Sequence, residues 1–179
     1  MSALENQPTN LNYLSPLGFR FLLDRTPNTN YFVQGATIPS INLGQALEEG
    51  TPTAIIPIPG DKLRFEPLDI TFRVDEDARN YKELYDWLAG LGFPESTSQF
   101  AALVSRPNDA LQFGKMQNVY SDGSLVVMTS SQNPNIRVSF QDMYPTSLST
   151  LQFNTTDSDV QYLEATATFQ YSLYNIELI

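Results

Sequence analysis

The chain of 179 residues contains no cysteine and no histidine. Without cysteine there is no disulfide, no thiolate metal site and no cysteine nucleophile, and nothing points to an oxidising compartment. Without histidine the commonest general base and the commonest zinc ligand are gone, with every Ser-His or Cys-His pair. Ser147 and Ser149 therefore have no histidine to activate them, and no G-x-S-x-G is present. Positive charge is scarce. Ten Lys and Arg face twenty Asp and Glu, for a net charge of −10. That balance opposes phosphate-neutralising nucleic-acid binding, which needs clustered basic residues. It suits a solubilising surface, or one that lies near nucleic acid without holding it. No run of about 18 apolar residues occurs, so no transmembrane helix or membrane anchoring is expected. Met1 to Gln7 lacks the basic start and apolar core of a secretory signal. No P-loop and no G-x-G-x-x-G is found, and no carboxylate pair stands out. An enzyme and a cofactor are not expected.

What is present is the material of one β-rich domain. Residues 1–17 read as a polar N-terminal arm, and residues 18–179 as a single domain large enough for a real core. Gly18 to Asp24 reads as a strand with Phe19, Phe21 and Leu23 inward. Thr26 to Asn30 has turn composition, and Tyr31 to Ala36 reads as a second strand, so 18–36 suggests a hairpin. Residues 45–60 carry Glu48-Glu49-Gly50 and then Ala54-Ile55-Ile56-Pro57-Ile58. The prolines bar this stretch from a central strand. It reads as a loop on its own core or as an arm packed on a neighbour. Gly60-Asp61 reads as a turn.

Leu68, Ile70, Phe72 and Val74 alternate with polar residues, a clear strand. Asp75-Glu76-Asp77 then stands where a helix N-terminus is expected. Tyr81, Leu84, Tyr85 and Leu88 give that helix its apolar stripe, with Trp87 and Leu91 flanking it. Gly90, Gly92 and Pro94 mark its end. Phe100 to Val104 fits either a strand or a helical turn. Asp122-Gly123 predicts a hairpin between Gln117–Tyr120 and Leu125–Met128, and Ser130 to Asn135 reads as loop. Ile136 to Phe140 is a short strand, followed by a turn-like Asp142 to Leu148.

The closing stretch, Val160 to Leu173, alternates without a break. Leu163, Ala165, Ala167, Phe169, Tyr171 and Leu173 fall on one face; Tyr162, Glu164, Thr166, Thr168, Gln170 and Ser172 fall on the other. At about 3.3 Å per residue it would span roughly 45 Å. A strand that long needs pairing along its length, within one chain or between subunits. About six to eight strands and one helix, segregated rather than alternating, predict a mainly β fold: an antiparallel sandwich or barrel with one flanking helix.

Asp75-Glu76-Asp77 and Asp157-Ser158-Asp159 are oxygen-rich, as hard cations require. Neither continues as an EF-hand loop. They read as a helix N-terminus and a polar turn, and no metal is assigned.

The order of these landmarks resembles the tail tube proteins of contractile-tailed, T4-like bacteriophages, which are akin to the tube proteins of type VI secretion systems. Phe32 to Pro39 resembles the family's strand with an Ala-Thr-x-x-Pro exit. Gly60-Asp61 precedes the strand Leu68 to Val74, and Asp75 to Trp87 resembles the acidic start and Trp-bearing helix. Tyr144-Pro145-Thr146 and the closing strand ending Phe169-Gln170-Tyr171 complete the match over roughly residues 18–174. Residues 95–135 look longer than in a typical subunit, and the first fifteen have no counterpart.

The resemblance implies a virion structural protein. It would form hexameric rings that stack into the inner tube of a contractile tail, assembled in the host cytoplasm. Its partners would be itself, sheath and baseplate proteins, and DNA that passes through the lumen without specific binding. Glu164, Thr166, Thr168, Gln170 and Ser172 would face the lumen. Glu48, Glu49, Ala54, Ile55, Ile56 and Ile58 would belong to an inter-subunit or inter-ring arm. A baseplate ring that initiates the tube with the same fold stays open, as does, in a different class, a soluble β-sandwich binding module.

Overall fold

The computed structural model describes residues 12–51, 54–104, 119–155 and 162–179. Expectations for the arm before Asn12, for residues 105–118, for Asp157-Ser158-Asp159 and for the start of the long strand lie outside them. Nine strands and three helices follow in order among the described residues: β1 (Phe19–Leu23), α1 (Pro27–Phe32), β2 (Val33–Ala36), β3 (Ile41–Thr51), β4 (Ala54–Phe65), β5 (Leu68–Arg73), α2 (Arg79–Gly92), α3 (Thr97–Val104), β6 (Ser121–Met128), β7 (Pro134–Leu148), β8 (Glu164–Gln170) and β9 (Leu173–Leu178). Seven strands form one antiparallel sheet, β1-β6-β7-β8-β5-β2, with β9 also on β7. β3 and β4 pair only with each other. The fold is the mainly β, antiparallel architecture that the alternation predicts, with two short helices besides the expected one.

The sheet folds over because β7 turns a corner. Its first half pairs β6 and β9, and its second half pairs β8. Asp142 sits at the corner with φ of 54°, a left-handed conformation that Asp tolerates better than most residues. Its amide donates to Asp122 Oδ1 at 3.1 Å, and Ser172 Oγ donates to its carboxylate at 3.1 Å. The expected short strand and turn over 136–148 are thus one bent strand of 15 residues. The long closing strand is instead two. β8 ends at Gln170, the chain bends at Tyr171-Ser172, and β9 follows β7 around the same corner.

Three more expectations change. β1 and β2 do not form a hairpin: they lie at opposite ends of the sheet order, joined by α1. Pro27 starts that helix, where its missing N–H costs nothing. The Asn30 side chain receives the Leu23 amide at 2.8 Å and donates to the Leu23 carbonyl at 3.0 Å, standing in for a neighbouring strand. Asp122-Gly123 is not a turn but lies inside β6. A Cβ at Gly123 would sit 2.6 Å from Met143 Sδ and 3.2 Å from the Leu22 carbonyl, so the glycine serves close approach, not a turn. Gly60-Asp61 likewise lies inside β4, where a Cβ on Gly60 would sit 2.3 Å from the Gly44 oxygen.

The core lies between the folded halves of the sheet and α2. Leu68, Ile70, Phe72, Ala165, Ala167, Phe169, Val138 and Phe140 are all buried. α2 presents Asn80, Leu84, Trp87 and Gly90 inward. The predicted stripe is off by one position, because Tyr85 is exposed and Asn80 is not. Asn80 bonds the Arg73 carbonyl and the Asp75 and Tyr81 amides, which ties the end of β5 to the start of α2. The acidic trio precedes this helix rather than occupying its first turn, with Asp77 paired to Arg79 at 2.9 Å. Gly90 does not stop α2: a Cβ there would meet Leu103 of α3 at 2.9 Å.

Aromatic rings seal the seam where β9 meets the β3–β4 ribbon. Phe140, Tyr171, Tyr174 and Phe65 contact one another with centroids 5.2–6.1 Å apart. Tyr171 donates to the Glu66 carbonyl at 2.7 Å and Tyr174 to the Pro39 carbonyl at 2.9 Å. Burial, with Tyr174 and Glu66 nearby, pushes the Tyr171 phenol from 10.0 up to about 12. The fold therefore prefers the neutral phenol. Its contribution is full below pH 10 and is lost as pH rises through about 12. In urea unfolding between pH 9 and 12, the advantage of wild type over Tyr171→Phe is expected to shrink as pH rises. A constant difference would contradict this.

Candidate functional site

The outer face of β5 and β8 is polar throughout its length. Register puts Asp69 opposite Thr168, Thr71 opposite Thr166 and Arg73 opposite Glu164. Thr168 Oγ1 donates to Asp69 Oδ1 at 2.7 Å, the two threonine hydroxyls lie 3.4 Å apart, and Arg73 Nε lies 3.8 Å from Glu164 Oε1. Tyr162 stacks under the Arg73 guanidinium at 5.4 Å. On the other side of β8, Thr146 Oγ1 donates to the Thr168 carbonyl at 3.1 Å, and Ser149 Oγ receives the Thr166 amide at 2.8 Å.

The alternation of β8 sets this face. Ala165, Ala167 and Phe169 point into the core, which turns Glu164, Thr166, Thr168 and Gln170 outward. Ser172, expected with them, lies past the end of β8 at the corner with Asp142. β8 is not an open edge as the sequence suggests, since β5 and β7 occupy both its sides. The face carries two carboxylates and one guanidinium, with short hydroxyl side chains between. Such a surface offers neither a cationic track for phosphates nor the apolar concavity that holds a small ligand.

The second feature is the β3–β4 ribbon. Its 12-residue strand reaches about 40 Å at 3.3 Å per residue. Pro57 and Pro59 fit here because every strand of a two-stranded ribbon is an edge. The segment expected to be a loop or arm is therefore regular β structure. Glu48 lies opposite Ile56 and Ala54 opposite Thr51, toward the tip, with Glu49 and Ile55 between. Ile58 lies opposite Ala46 and is 38% exposed. Nearer the base, Ile41, Leu43 and Leu63 are also exposed. The predicted polar-face and arm residues thus belong to separate surfaces, joined at the aromatic seam. Asp69, Thr71 and Arg73 of the polar face were not singled out in the sequence. Their alternation with Leu68, Ile70 and Phe72 marks the outward side, but only the β5–β8 pairing brings them to Thr168, Thr166 and Glu164.

A family model described as phage tail tube protein matches residues 23–177. The chain belongs to the phage tail tube protein family. Solved structures agree on the fold of this tail tube family member. The tube terminating cap of an anti-feeding prophage aligns with a TM-score of 0.63 and 13% identity, over 100% of both chains. A sheath/tube terminator of an extracellular contractile injection system, PVC, aligns at 0.61 and 12%, over 94% of this chain and 99% of that one. Hcp1 from Salmonella typhimurium aligns at 0.50 and 13%, over 90% and 87%. No curated protein matches by sequence.

Proposed function

We propose that this tail tube family member assembles into hexameric rings that stack into the inner tube of a contractile phage tail. The observation that carries the reading is the polar β5–β8 face, Asp69 to Arg73 beside Glu164 to Gln170, on a chain of this family. That face lines the lumen. DNA slides past it because no basic stripe holds the phosphates. The β3–β4 ribbon, with Glu48, Glu49, Ala54, Ile55, Ile56 and Ile58, reaches a neighbouring subunit or ring. An exposed apolar stripe of this kind marks an interaction surface. Sheath and baseplate proteins bind the assembled tube in the virion tail. A second reading, a ring found once at an end of the tube, is supported by the full-length likeness to a terminating cap.

Glu164→Lys tests the lumen assignment. Its ion pair with Arg73 is about half exposed and of little structural value. Rings are therefore expected to form normally, while each subunit presents added positive charge to the passing DNA. Release of DNA from triggered virions should slow, and added salt should relieve the effect. Loss of assembly instead would move Glu164 out of the lumen.

A further inference from the structure

The lumen reading leaves two strand edges without partners in this chain, and they match each other. In β1, the Gly18 carbonyl and the Asp24 amide bond β6, and the alternation of an antiparallel ladder turns Phe19, Phe21 and Leu23 outward. Asn30 occupies Leu23; Phe19 and Phe21 have no backbone partner among the described residues on that side. In β9, the Ile179 amide bonds Asn135 of β7. The same alternation turns Ile176 and Leu178 outward. Ile176 and Leu178 lie on the core-facing side, opposite Val138 and Ile136, yet are 56% and 83% exposed.

We infer that the open edge of β9 in one copy pairs antiparallel with the open edge of β1 in the next, continuing the sheet around the ring. Strand direction allows it, because β1, β6, β7 and β9 each run antiparallel to the one before. Continuing the existing cross-strand rows fixes the register. Phe21, Leu125, Val138 and Ile176 share one row, so Ile176 meets the next copy's Phe21. Leu178 likewise meets the next copy's Phe19. Between them, on the outer side, Glu177 meets the next copy's Arg20, an opposite-charge pair. The two edges are different surfaces at opposite ends of one four-strand row. The contact is therefore heterologous, the type that closes into a ring when its rotation permits. The inference rests on the ring reading and names its junction.

The absence of cysteine makes the test clean. Full-length Arg20→Cys/Glu177→Cys protein is assembled, oxidised and run on a non-reducing gel beside Arg20→Cys/Asn175→Cys, which shifts the register by two. Directly opposed residues have Cβ atoms about 4.5–5.5 Å apart, within disulfide range. The expected result is a ladder ending in a closed species for the first pair only. Rings in negative stain without a ladder would overturn the junction and leave the ring reading intact. Equal ladders from both pairs would also overturn it. No rings and no ladder would overturn both. Charge reversal separates pairing from packing: Arg20→Glu and Glu177→Arg should each weaken assembly, and the double variant should restore it.

Discussion

Trp87→Ala should cost about 3–5 kcal/mol, the usual range for emptying a buried Trp site. The side chain is 2% exposed and among the largest fully enclosed groups in the chain. It closes the space between α2 and the sheet. Its ring lies 6.2 Å from Phe169 of β8, Arg25 stacks on it at 4.9 Å, and its Nε1 donates to the Val119 carbonyl at 3.0 Å. The hole cannot close easily, because α2 is also fixed by Asn80 at one end and by Gly90 on Leu103 at the other. Against a typical domain stability of about 5–15 kcal/mol this is a large share, and the melting temperature should fall by roughly 6–20 °C. Trp87→Phe separates the terms. It keeps most of the apolar area and loses the indole hydrogen bond, for a cost nearer 1 kcal/mol plus packing defects. Equal losses in the two variants, measured by urea unfolding, would show that volume is not what matters at this site.

Phe140→Ala is expected to be similarly severe, about 3–5 kcal/mol, but with a second consequence. Phe140 is 1% exposed, and its ring contacts Tyr171 and Tyr174 at 5.2 and 5.6 Å. Those tyrosines hold the base of the β3–β4 ribbon through Glu66 and Pro39. The substitution should therefore loosen both β9 and the ribbon, the surfaces assigned here to subunit contacts. Hydrogen exchange at a temperature where the variant stays folded should show lost protection in β3, β4 and β9 before β5 and β8. Uniform loss across all strands would mean that the seam is not a separate unit.

The sequence was most readable where one face is core and the other solvent. β1, β5 and β8 alternate because their neighbours on both sides are regular, and the polar face Glu164, Thr166, Thr168 and Gln170 followed directly. Reading failed where a local signal served a tertiary purpose. Asp122-Gly123 has the composition of a turn, but Gly123 is small because Met143 and the Leu22 carbonyl crowd it. β7 appeared broken at Asp142 and Pro145 because a corner and a one-sided strand tolerate residues that a flat central strand does not. The alternation from Val160 to Leu173 hid a break, since a bend at Tyr171-Ser172 preserves the in–out pattern. The ribbon was hidden by prolines that exclude a central strand and say nothing against a two-stranded one. Asn30 and Asn80 carried no signal, because their role depends on strand ends that only the fold brings within reach.

Size and shape of the purified protein test the central claim most directly. Light scattering after gel filtration, with negative-stain images of the same fractions over a concentration series, should show hexameric rings with a central hole. These should stack into tubes if the chain is the repeating subunit, and stay single if it sits at a tube end. A monodisperse monomer across the whole series would contradict the account.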